Sequence, residues 1–154
     1  MKMRTLLVYL LLATLVSSGA AVAAGDGGLG ALLEGEFRLQ EGDADAAARG
    51  YLKAAEASSD PRLAERAVQV ALLAEKPELA RRGLRRWRML DADATALRVA
   101  ELRLALAQDD LKVADAGARL LLGPKGDWRG AIQAFAAALS RPITAKLVES
   151  LVES

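Results

Sequence analysis

The sequence predicts an all-α protein, a solenoid of antiparallel helical hairpins amounting to about three and a half units. Three observations predict it. Ala and Leu, two strong helix formers, occupy 33 and 28 of the 154 positions. Val and Ile together supply 11 residues and the aromatics 4%, too little β-branched and aromatic stock for a sheet of any size. Finally, glycine and apolar residues recur every 33 to 34 residues along two separate tracks.

The chain opens on a segment that is not expected to belong to the fold. Lys2 and Arg4 precede the apolar run Leu6 to Val16, which is followed by Ser17, Ser18, Gly19 and the small residues Ala20 to Ala24. This is the three-part pattern of a secretory signal peptide over 1–24, and the small–x–small triplet Ala21-Val22-Ala23 sets cleavage near Ala23 or Ala24. Such a chain is periplasmic or secreted. The alternative is an inner-membrane signal anchor, because Thr5 to Ala24 spans about 20 residues, just enough to cross a bilayer; Ser17, Ser18 and Gly19 weigh against it. An uncleaved segment 5–24 is the only expected route to a membrane, since no Cys follows the apolar run to accept a lipid. The Gly-rich stretch 25–30 reads as a flexible leader. No strand precedes it, so it is not a phosphate loop.

Helices then follow at about 29–41, 43–57, 61–75, 77–90, 94–108, 110–122, 127–140 and 142–153, from 3.6-residue apolar spacing and from stop and start residues. Gly42-Asp43 ends one helix and caps the next. Ser59-Asp60-Pro61 does the same, with Asp60 as N-cap and Pro61 at the first helical position, where its missing N–H costs nothing. Pro77, Asp109-Asp110, Gly123-Pro124 and Asp127 mark the other joints. Connections this short make successive helices antiparallel neighbours.

The period is carried first by Ala47, Gly50, Tyr51 and Ala54, which recur in spacing as Ala80, Gly83, Leu84 and Trp87 and again as Ala114, Gly117, Ala118 and Leu121. The second track aligns Phe37-Arg38-Leu39 with Val70-Ala71-Leu72 and Leu104-Ala105-Leu106. Each glycine costs its helix about 1 kcal/mol relative to Ala. Recurrence at such a cost predicts close approach of a neighbouring helix at Gly50, Gly83 and Gly117, with Tyr51, Leu84 and Ala118 filling the adjoining gap. On a helical wheel Gly83, Leu84 and Trp87 fall within about 60° of Ala80, a buried stripe. Core packing is expected for Trp87 and also for Trp128. In the last helix Leu147, Val148, Leu151 and Val152 follow the pattern of an interior second helix.

The Gly42-Asp43 joint, Ala47, Tyr51, Ala54, Pro61 and the 34-residue spacing resemble the tetratricopeptide repeat (TPR). Three repeats cover 31–122 and a partial fourth covers 127–154. The stretch LLEGEFRLQEGDADAAARGYLKAAEASSDPRLAERAVQVALLA is similar to the amino-terminal part of an exported proteobacterial TPR family. Its best understood members are outer-membrane lipoproteins that act as adaptors for a carboxyl-terminal processing protease and deliver cell-wall hydrolases to it. The resemblance implies a non-catalytic adaptor or scaffold in the cell envelope, with a protease or cell-wall hydrolase as the partner class. It also implies a concave groove of first helices, placing Leu32, Glu36, Leu39, Arg62, Glu65, Gln69, Val99, Arg103 and Leu106 toward a protein partner. The chain departs from those relatives in lacking the lipid-accepting Cys, in being much shorter, and in placing Arg38 where a Tyr or Ala is expected.

Composition narrows the chemistry further. With no His and no Cys, His-based acid–base catalysis, thiol nucleophiles, disulfides and the usual zinc, iron–sulfur and c-type haem sites are excluded, and no cofactor or metal is expected. An envelope hydrolase would need Glu34 with Glu36, or Asp43 with Asp45, as an acid–base pair. All four sit at helix surfaces or ends, where carboxylates serve as caps and dipole partners. Without Lys2 and Arg4, 19 of the 21 basic residues remain against 20 acidic ones, a near-neutral balance that offers nothing to nucleic acid. The strongest local charge is Arg81, Arg82, Arg85, Arg86 and Arg88, spread over about 80° to 240° of the wheel, opposite the buried stripe. They are expected either as a solvated outer face or as a dock for an acidic partner or anionic head groups.

Overall fold

A computed structural model of the chain describes residues 26–92, 94–138 and 141–153, so the signal peptide expected over 1–24 lies outside the described residues. Eight α-helices and no strand occur among them: α1 (Asp26–Gln40), α2 (Ala44–Ala57), α3 (Pro61–Leu73), α4 (Pro77–Leu90), α5 (Thr95–Ala107), α6 (Leu111–Leu122), α7 (Trp128–Ala137) and α8 (Pro142–Val152). None of them is long and apolar enough to cross a membrane. Helix α1 starts at Asp26, so the stretch expected as a flexible leader over 25–30 is helical from Asp26 on. Burial explains the difference, because Ala31 is 3% exposed and the chain around it is covered by α2, which outweighs the poor helix propensity of the glycines.

The period is written into the backbone at the ends of α1, α3 and α5. Gly42, Glu75 and Asp109 all have left-handed φ, of 83°, 54° and 56°, and their residue numbers differ by the same 33 and 34 as the sequence tracks. Each is followed by a residue whose N–H bonds back five positions, Asp43 to the Arg38 carbonyl, Lys76 to Ala71 and Asp110 to Ala105, at 2.9, 2.9 and 3.0 Å. This is one helix-ending motif used three times. Only the first joint has the glycine that suits it; Glu75 and Asp109 hold the same conformation with a side chain attached. The next helix starts at once, with Asp43 and Asp110 accepting from Ala46 and Val113 N–H at 2.9 and 3.1 Å. Asp60 caps α3 in the same way through Arg62 N–H, and Asp127 caps α7 through Gly130 N–H.

Each helix from α1 to α6 packs on its successor, and α2 on α4, α3 on α5, α5 on α7 and α6 on α8. The last pair departs from this order: α7 and α8 pack on α5 and α6 more than on each other. Two apolar cores result, one built on α2, α3 and α4 and the other on α6, α7 and α8. They meet in α5, where Leu97, Ala100 and Leu104 belong to the first and Leu102, Ala105 and Leu106 to the second.

The recurring glycines do not all do the same thing. A Cβ on Gly50 would sit 2.8 Å from the Gly35 Cα and 3.0 Å from the Ala31 carbonyl oxygen, so α2 rests on the backbone of α1. At Gly83 the nearest atom is a Val68 methyl at 2.8 Å. At Gly117 nothing lies closer than 3.8 Å, which overturns the expectation of close approach there: an alanine fits. Tyr51 fills the gap beside Gly35 and is fully buried, and Trp87 is 3% exposed in the first core. Trp128, also expected in the core, is 53% exposed. It is the first residue of α7, and the Arg129 guanidinium covers its ring at 4.9 Å.

Candidate binding groove

The positions assigned to the groove split into three groups. Leu32 and Leu39 on α1 are half-buried against the first core, and Val99 on α5 is half-buried against the second. Gly130 of α7 makes room for Val99, since a Cβ there would lie 2.5 Å from the Val99 methyl. Leu106 is 1% exposed and belongs to the second core, so it cannot face a partner. The outward stripe of α5 runs through positions 99, 103 and 107, at the i, i+4 spacing of one helix face, and Ala107 takes the place assigned to Leu106.

The polar positions on α3 are largely spent within the helix. Arg62 chelates the carboxylate of its own N-cap, Asp60, through Nε and a terminal nitrogen at 2.9 to 3.1 Å. That guanidinium holds the Asp60 carboxyl below its ordinary value. Gln69 donates to Glu65 one turn earlier at 3.1 Å. Glu36 on α1 lies near the phenol of Tyr51, as does Arg66, whose guanidinium is 5.3 Å from the ring centroid. The Tyr51 hydroxyl is buried and meets no hydrogen-bond partner; burial first and the Glu36 carboxylate second push its pKa up.

Arg103 differs from all of these. It is exposed, no ion pair or hydrogen bond engages its guanidinium among the described residues, and it lines a cavity of about 360 Å³. The walls come from three first helices, with Leu72 on α3, Arg103 and Ala107 on α5, and Ala134 on α7. At the rim stand Lys76, which pairs with Asp45 at 3.3 Å, and Arg141, which pairs with Asp109 at 3.0 Å and caps the Ala107 carbonyl at 2.9 Å. The Arg141 Nε is buried without a partner. Glu75 is the single acidic residue of the lining. The alanines keep the floor low, so the space beside a free guanidinium stays open. Lys76, Arg141 and the alanines escaped the sequence reading because they sit at helix ends outside the stripe assigned to the first helices. Ala134 and the run Ala136 to Ala138 were the signal available.

The arginine-rich face of α4 is mostly committed within the fold. Arg81 pairs with Glu78, Arg82 with Glu56 of α2 at 2.7 Å, and Arg88 with Glu101 of α5. Arg86 donates to the Ala55 and Ser58 carbonyls at 3.2 and 2.6 Å, satisfying the open end of α2. Arg85 alone is left unengaged among the described residues. Arg81, Arg85 and Arg88 border a second cleft of about 400 Å³, where α4 and α6 diverge over Leu84, Leu104 and Val113. Glu101 and Asp110 sit in the same cleft, so its charge is nearly balanced.

Two of the four carboxylates considered for acid–base work have structural partners. Asp43 caps α2, while Asp45 is held below its ordinary pKa chiefly by Arg49, with Lys76 adding to it. Glu34 is exposed on α1, and Glu36 is half-buried near the Tyr51 phenol. No protein-family model, no curated protein and no solved structure matches this chain.

Proposed function

We propose that this chain is an exported, non-catalytic TPR-type scaffold that holds an extended acidic segment of a protein partner across the first helices α3, α5 and α7. The observation that carries this reading is the unengaged guanidinium of Arg103 beside an alanine-floored cavity, with Lys76 and Arg141 at its rim. A guanidinium takes a carboxylate through two parallel hydrogen bonds, and it is more weakly hydrated than an ammonium, so the exchange of water for a carboxylate is favoured. The shallow apolar floor admits a neighbouring side chain of the same segment. The threefold helix-ending joint at 33 and 34 residue offsets supports the repeat reading on which the groove rests. Through its resemblance to exported adaptors, the chain has a processing protease or a cell-wall hydrolase as its proposed partner class. The groove of the proposal is narrower than the nine positions first assigned, because Arg62, Glu65 and Gln69 bond among themselves or to a helix cap. The outer arginines of α4 are not a second dock in this proposal, since four of the five are already used.

A photo-crosslinking residue placed at Ala107 in cells of the host tests it. One discrete protein adduct is expected, and it disappears when Arg103→Glu is combined with the label. An adduct indifferent to Arg103→Glu, or the same adduct formed from Met89 on α4, overturns the proposal.

A further inference from the structure

The second helices α2, α4, α6 and α8 meet at two of the three places where the repeat sets them side by side. Helix α2 packs on α4, where Arg82 bonds Glu56 and Arg86 bonds the Ala55 and Ser58 carbonyls. Helix α6 packs on α8, where Asp115 and Arg119 both bond Ser150. Between these joints α4 and α6 stand apart across the outer cleft of about 400 Å³. At an offset of 33 to 34, the counterparts of Glu56, Arg82 and Arg86 are Met89, Ala116 and Leu120. All three are exposed, Met89 at 72% and Leu120 at 69%. The walls of the cleft thus carry an apolar version of the joint that α2 and α4 close.

The seam between α1–α4 and α5–α8 is also lightly tied. Helix α5 sits on α3 and α4 through Leu97, Ala100 and Leu104, and the side-chain hydrogen bond that crosses the seam, Arg88 to Glu101, belongs to a largely exposed pair of little weight. On a wheel of α5 with Arg103 at 0°, the inner cavity is lined at about 0° to 40° by Arg103 and Ala107, and the outer cleft at about 140° to 200° by Gln108, Glu101 and Ala105. Ala100, Leu104 and Leu97 fall between them, at about 60° to 120°, and Leu104 lines both spaces. A roll of α5 on that seat narrows one space as it widens the other. We infer that α5–α8 rolls as a body on α3 and α4 between two positions: the one described above, and one in which α6 closes on α4 and the inner cavity spreads. Closing covers Met89, Ala116 and Leu120 but takes water from Arg81 and Arg85, opposed effects that leave both positions populated. Given that an acidic segment lies in the inner cavity, as proposed above, the roll regulates its binding: closure draws Arg103 and Ala107 away from Leu72 and Lys76, so the closed form holds the segment more weakly.

The chain has no Cys, so spin labels attach only at cysteines introduced for them. Met89→Cys with Ala116→Cys spans the outer cleft, and Leu73→Cys with Ala107→Cys spans the inner face, all at exposed positions. Circular dichroism checks that both labelled proteins remain folded. Double electron–electron resonance is expected to give two distances for each pair, with the short outer distance and the long inner distance present in the same proportion. The short outer distance is expected to match that of Glu56→Cys with Arg82→Cys, the same positions one period earlier. A single distance for the outer pair, or proportions that do not correspond, overturns the inference. Regulation is read by bridging the two outer cysteines with a short bismaleimide and titrating hexaglutamate in a calorimeter. The bridged protein is expected to bind it at least about fivefold more weakly than the unbridged one. Equal affinity overturns the regulation. Hexaglutamate that binds neither form counts against the acidic-segment reading of the cavity, and the two sets of distances then decide the motion by themselves.

Discussion

Between α1 and α2 glycine meets glycine, with Gly50 lying against the Gly35 backbone where a Cβ would come within 2.8 Å. Between α5 and α6 the equivalent Gly117 has free space out to 3.8 Å. Yet the two hairpins turn through the same joint, with Gly42 and Asp109 in the same left-handed conformation and the same back-bonded residue after each. The repeat is therefore maintained by how the chain reverses, and the closeness of the helices varies from unit to unit. Around α1 to α4 this yields one continuous core that contains Tyr51 and Trp87. Around α5 to α8 it yields a core rich in alanine, with Trp128 left outside it and a cavity between α3, α5 and α7.

Substitutions at matched positions break this contrast or sharpen it. The largest difference is expected between the two tryptophans: Trp87→Ala should destabilise by about 3–5 kcal/mol, as for other buried aromatics, and Trp128→Ala by less than about 0.5 kcal/mol, both read from urea unfolding. Equal losses would refute the assignment of one to the core and the other to the surface. Gly50→Ala is expected to cost about 1–2 kcal/mol, because the strain of displacing the Gly35 backbone exceeds the gain in helix propensity. Gly117→Ala should do the opposite, raising stability by about 0.5–1 kcal/mol, since only the propensity term remains. A Gly117→Ala protein as damaged as Gly50→Ala would mean that the third unit is as tight as the first.

The smallest expected effect is on acid sensitivity. Asp115 is held below the ordinary aspartate value of 3.8 by Arg119 first and Ser150 second. Its contribution to stability is thus complete above that value and is lost as the pH falls through the depressed pKa. Asp115→Asn should remove a small part of the stability at neutral pH and flatten the acid limb below about pH 4, seen in thermal unfolding at a series of pH values. An acid limb unchanged by the substitution would show that the bond from α6 to α8 carries no weight.

Much of this was legible in the sequence, for reasons that are local. The caps Asp43 and Asp60, the proline starts and the helix spans depend on residues a few positions apart, and the wheel placed Trp87 correctly because three small or apolar residues, Ala80, Gly83 and Leu84, shared its arc. The close approach at Gly50 was legible from recurrence, but its neighbour Gly35 was not, since it stands on a first helix without a counterpart in the other units. The failures involve distant partners. Arg82 and Arg88 are neutralised by Glu56 and Glu101, 26 and 13 residues away, and a wheel of α4 alone cannot show that. Leu106 and Ala107 differ by one step of 100° on α5, and only the position of α7 decides which of them is covered.

The central functional claim is that the cavity beside Arg103 reads acidity in an extended segment. Selection of a random peptide library displayed on phage, carried out in parallel on the protein and on its Arg103→Glu variant, tests it most directly. The expected result is enrichment of peptides carrying Asp or Glu on the protein, with that enrichment lost on the variant. Enriched peptides without acidic residues, or the same acidic peptides retained by Arg103→Glu, would contradict it.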